Sequence, residues 1–112
     1  MGLFDFFKSE PAWKCTDRKK AIDAVEKVTN QSELAVIAKN APIDVVRSLA
    51  VKKLTDQSTL LWVALNDPYE YSRSYAVENL TDQNVLKKIA VKDPVEDVRI
   101  SAIRKLTDAD FF

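Results

Sequence analysis

The chain has 112 residues, enough for one domain with its own core. Its 17 Lys and Arg match its 17 Asp and Glu, which lacks the cationic excess expected of a nucleic-acid binder that works by neutralising phosphates. It has no His, one Gly (Gly2) and one Cys (Cys15), which excludes imidazole catalysis, glycine-rich phosphate cradles, an intrachain disulfide and thiolate metal clusters. In chain order, the opening "MGLFDFF" brings Leu3, Phe4, Phe6 and Phe7 together, followed by Lys8 and then Lys14, Arg18, Lys19 and Lys20. Residues 1–14 read either as an aromatic cap on the apolar end of a helical stack or as an amphipathic anchor for a membrane or partner. The cap is the working expectation. A myristoylation signal needs Ser or Thr at position six, where Phe6 stands. With no His to activate it, Cys15 reads as a reduced, packed thiol. No apolar run nears the roughly 18 residues of a membrane span, and no secretory signal precedes the domain, so a cytoplasmic location is expected.

From residue 15 onward the chain repeats itself. "NAPIDVVRSLAVKKLTDQ", "NDPYEYSRSYAVENLTDQ" and "KDPVEDVRISAIRKLTDA" align with a 26-residue period. Pro42, Pro68 and Pro94 share a column, as do Arg47, Arg73 and Arg99. So do Ala50, Ala76 and Ala102, then Leu54, Leu80 and Leu106, then Thr55, Thr81 and Thr107, each trailed by Asp. A weaker copy runs upstream through Ala24, Val25, Val28, Thr29, Asn30 and Gln31, which gives about three and a half units over 15–112.

Each unit reads as two helices. The longer one is predicted to start at "DP", with Asp67 and Asp93 as N-caps, Pro68 and Pro94 at the first helical position, and Glu70 and Glu96 completing capping boxes. Its buried face is Val46, Ala50, Val51 and Leu54, with Val98, Ala102, Ile103 and Leu106 as counterparts. The shorter follows "LTD" and is predicted to run about eight residues, too short to persist alone. It buries Leu34, Ile37 and Ala38, then Leu60, Val63 and Ala64, then Leu86, Ile89 and Ala90. Phe111 and Phe112 align with Val85 and Leu86, as a truncated short helix closing the last layer. One hairpin cannot bury its apolar face alone, whereas a stack can, so an all-α helical solenoid is expected.

The phrase "DPVEDVRISAIRKL", a DPxxxVR…A…L pattern, resembles short bacterial HEAT-like repeats and the related leucine-rich repeat variant. The resemblance covers roughly residues 15–112 and implies a right-handed α-solenoid (alpha-alpha superhelix) of HEAT-like hairpins. Such families are mostly scaffolds and binding modules, with outliers among chromophore-lyase subunits and DNA glycosylases. The repeat-variant proteins can carry an iron–sulfur segment with several cysteines; only Cys15 stands in that region, and that feature is not carried over.

Arg47, Arg73 and Arg99 are expected to stack at about 10 Å, the usual spacing of packed helices. They form either a ladder for an acidic partner or internal pairs with Asp56, Asp82, Glu70, Glu96 or helix-end carbonyls. The internal pairing is the stronger expectation. In the central unit Tyr71 replaces Val45 and Asp97, and Tyr75 replaces Leu49 and Ser101. With Tyr69 and Trp62 they concentrate the residue types that dominate binding hot spots. Lys52, Lys53, Arg104 and Lys105 suit the negative ends of their helices. The expected function is a non-enzymatic protein-binding scaffold or adaptor without cofactor, metal or catalytic residues. Its candidate partner residues are Trp62, Tyr71, Tyr75, Arg47, Arg73 and Arg99. The alternatives are a small lyase-like or glycosylase-like enzyme, which needs a pocketed carboxylate of raised pKa, and a membrane adaptor attached through residues 2–8.

Overall fold

The structure, a computed structural model, describes residues 10–106. The expectations placed on Leu3, Phe4, Phe6, Phe7, Phe111 and Phe112 lie outside the described residues. A 3₁₀ turn at Ala12–Lys14 leads into helices α1 (Arg18–Lys27), α2 (Gln31–Asn40), α3 (Asp44–Lys53), α4 (Gln57–Asn66), α5 (Glu70–Asn79), α6 (Gln83–Lys92) and α7 (Glu96–Lys105). The described residues are all-helical, with no strand.

All seven helices are ten residues long, so the division into long and short helices does not hold. In α2 and α4 the last residue, Asn40 or Asn66, folds its side chain back onto the carbonyl of Val36 or Trp62, at 2.8 and 2.9 Å. The helix starts also fall into two kinds. In α1, α2, α4 and α6 an Asp or Asn side chain caps free N–H groups: Asp17 to Lys20, Asn30 to Glu33, Asp56 to Thr59, and Asp82 to Asn84 and Val85. In α3, α5 and α7 the capping residues are Ile43, Tyr69 and Val95, none with a side-chain cap. Asp67 and Asp93 are therefore not N-caps. Each is the C-cap of the preceding helix, and its carboxylate accepts the N–H of Tyr69 (2.8 Å) or Val95 (2.9 Å) across the turn.

Helix α2 packs on α3, α4 on α5, and α6 on α7, which makes the repeated unit a hairpin. The odd-numbered helices also pack in series, α1 on α3, α3 on α5 and α5 on α7, whereas the even-numbered ones touch each other far less. One core runs the length of this arrangement, through Val25, Leu34, Val46, Leu60, Val77, Leu86 and Val98. Burying each such side chain contributes about 1.5–3 kcal/mol. Ala50, Ala76 and Ala102 are wholly buried in the tightly packed odd row. Ile103 departs from expectation and is exposed, while Trp13, which sequence reasoning left unassigned, is buried against α1 at the start of the core. The radius of gyration is 16.0 Å, against about 13 Å for a compact chain of this length, and the principal extents are 61 × 21 × 19 Å. Among the described residues, no helix is long and apolar enough to cross a membrane.

Candidate functional site

The recurring polar residues form two seams, one at each edge of the layers. At the first edge, where the odd helices begin and the even ones end, Arg47 grips Asp67 with a fork: Nε to Oδ2 at 3.0 Å and Nη2 to Oδ1 at 3.3 Å. Its Nη1 donates to the carbonyl of Ala41 at 3.0 Å. One unit later Arg73 repeats the fork on Asp93 at the same two distances and donates Nη1 to the carbonyls of Asp67 and Pro68. The side chains of this second pair are only 11% and 5% exposed. Arg99 donates to the carbonyl of Asp93 at 2.6 Å. The arginines are thus engaged internally, but with Asp67 and Asp93 in place of Asp56, Asp82, Glu70 or Glu96. Asp56 and Asp82 are occupied as helix caps.

The second seam, at the opposite edge, is built on glutamine. Gln31 Oε1 accepts from the N–H (3.0 Å) and hydroxyl (3.3 Å) of Thr55, while its Nε2 donates to the Lys53 carbonyl at 3.0 Å. Gln57 makes the equivalent bonds to Thr81 and to the Asn79 carbonyl. Alongside, Lys53 Nζ donates to the carbonyls of Val25, Glu26 and Val28 at the end of α1. Asn79 Nδ2 does the same for Val51, Lys52 and Leu54 at the end of α3. These bonds supply donors to the carbonyls of the last helical turn, of which those of Val25 and Val51 also accept the backbone N–H of Val28 and Leu54. Sequence reasoning missed this seam, although the glutamine of "TDQ" recurs in register.

With the repeated polar residues engaged between layers, most exposed large side chains fall in columns whose residue type changes from unit to unit: Val36, Trp62 and Lys88 share one and Val45, Tyr71 and Asp97 another, whereas exposed Ile103 stays in the Val51 and Val77 column. On the odd row Tyr71 is 55% exposed, and its ring meets Tyr69 edge-on with centroids 5.3 Å apart at 66°. Tyr75 is half-buried, with the Lys52 ammonium 5.6 Å from its ring centre. Burial pushes the Tyr69 phenol above its ordinary value, and the Asp44 carboxylate adds to the effect. On the even row Trp62 is 41% exposed, with Lys39 of α2 5.3 Å from its ring centre. Val36, Leu65 and Val91 are exposed on the same row. Trp62 on one row and the tyrosines on the other therefore do not make a single patch.

Between α4 and α6 lies a groove of about 330 Å³, lined by Ala64, Leu65, Lys88, Ile89, Lys92 and Pro94 above the Arg73–Asp93 pair. The described residues hold no group of three or more His, Cys, Asp or Glu placed to bind a metal ion. Compared with protein-family models, curated proteins and solved structures, the chain finds no match.

Proposed function

We propose that this chain is a non-enzymatic, cytoplasmic binding module, a right-handed α-solenoid of HEAT-like hairpins that serves as a scaffold or adaptor for a protein partner. One observation carries the reading. Polar side chains at recurring positions are spent on joining layers, whereas the exposed aromatic side chains of Trp62 and Tyr71 sit in columns whose residue type changes from unit to unit. Large rigid side chains with a polar tip, such as Trp62, Tyr71 and Tyr75, are the type that anchors protein interfaces.

The test is affinity capture under crosslinking, with the intact chain compared with Tyr71→Ala/Tyr75→Ala and with Trp62→Ala, each of verified helicity. A protein retained by the intact chain and lost from one variant supports the module and locates its contact row. Identical recovery by all three removes the aromatic residues from the proposed surface.

A further inference from the structure

The 26-residue register lets the α2–α4 and α4–α6 junctions be compared position by position. At the first, Lys39 lies over the ring of Trp62, so a cation and an aromatic face answer each other within the chain. One unit on, the same two positions hold Leu65 and Lys88, with the residue types exchanged. Leu65 is 57% exposed. Lys88 meets neither a carboxylate nor an aromatic ring among the described residues. The groove opens between them, with Ala64 and Ile89 as apolar walls.

The electrostatics of the groove point one way. Neither α4 nor α6 contains an acidic residue, while α6 carries Lys87, Lys88 and Lys92. The groove's two carboxylates, Asp67 and Asp93, are already held by Arg47 and Arg73. Lys92 lies in the last turn of α6, where it offsets the helix dipole. Lys88 sits a turn earlier, beyond most of that effect. An apolar cleft with an unanswered cation at its rim is complementary to an apolar side chain flanked by carboxylates.

We propose that the α4–α6 groove docks an acidic amphipathic peptide helix. A Phe or Leu side chain of the partner enters between Leu65 and Ile89, and neighbouring Glu or Asp side chains meet Lys88 and Lys92. A recess between two helices suits a protruding side chain better than it suits a flat lipid surface. The inference rests on the binding-module reading and names the partner's chemistry.

The experiment uses the full chain and a fluorescein-labelled peptide of about 14 residues, near the length at which an isolated helix becomes stable. The peptide carries Phe and Leu on one face and Glu elsewhere, and binding is read by anisotropy. Control probes replace Glu by Lys, or Phe and Leu by Ala, and a further probe is a phosphatidylserine–phosphatidylcholine vesicle. The acidic apolar peptide is expected to bind, with affinity falling as salt rises and weakened about tenfold or more by Lys88→Glu or Leu65→Asp. Both positions are exposed, so the variants should fold, and Lys19→Glu on α1 should bind as the intact chain does. Equal binding by the groove variants overturns the proposal, as does preference for the Lys peptide or binding to vesicles alone. If the peptide fails while the tyrosine or tryptophan variants still lose a captured protein, the groove assignment falls and the binding module stands.

Discussion

Two junctions in this molecule solve the same packing problem with opposite chemistry. At the Arg73–Asp93 junction a guanidinium and a carboxylate meet almost out of water. In register one layer before Arg47–Asp67, those positions are Ala21 and Ala41, both buried. Charge is absent from both sides at once, so neither partner is stranded. The cost of burying an ion falls on an unpaired one, whereas removing both partners of a pair is often nearly neutral. At Ala21 and Ala41 the two positions are exchanged together, and that layer forms without the ion pair.

The largest test of that contrast is to break one side. Arg73→Ala leaves Asp93 buried without its fork and should destabilise by about 3–5 kcal/mol in urea unfolding. Arg73→Ala/Asp93→Ala, which copies Ala21 and Ala41, should recover most of the loss. A double variant as unstable as the two single effects added together would refute exchange by pairs. The alanine column sets a second scale, because Ala50, Ala76 and Ala102 are wholly buried. Ala76→Leu should cost about 1–3 kcal/mol by overpacking, and an unchanged melting temperature would show that the odd row has room to spare.

Ser72 sharpens the comparison from the other side. It occupies the column of Val46 and Val98, is fully buried, and its hydroxyl has no hydrogen-bond partner. This is an exchange made without a compensating partner. Ser72→Val should therefore raise stability by about 1 kcal/mol, measured by the same unfolding curves. The smallest effect concerns an acid on the surface. Hydrogen bonds from Thr59 and Ser58 hold the Asp56 carboxyl below its ordinary value of 3.8. Its stabilising contribution is complete above that value and disappears as pH falls through the lower folded-state value. Asp56→Asn, which keeps a capping oxygen, should leave neutral stability nearly unchanged and flatten the acid limb of the pH–stability curve.

The period, the two helices per unit and nearly all the buried apolar columns were readable from spacing alone, because a helical face repeats its chemistry every turn. The arginine partners were not. "DP" before a helix looks like a cap, which hid the aspartates that lie twenty residues after Arg47 and Arg73. The joint loss of charge at Ala21 and Ala41 was the signal that links the two columns. Trp62 was grouped with Tyr71 and Tyr75 by nearness in sequence, yet α4 and α5 belong to different rows. The groove is a further case: the exchange of Lys39 and Trp62 for Leu65 and Lys88 is visible in register, but it gains meaning only once α2, α4 and α6 lie side by side.

The two seams also give the stack a mechanical character. The Arg–Asp forks tie one edge and the Gln–Thr bonds tie the other, while the faces between are joined mainly by apolar contacts, with Lys39 over Trp62, Lys52 over Tyr75 and one Ser74–Ser101 hydrogen bond. A bend toward either edge must stretch the ties on the opposite side, whereas a bend toward either helix row need lengthen neither. Like a leaf spring, such a stack is expected to resist bending across its width more than through its thickness, and residual dipolar couplings measured along both rows would test that anisotropy.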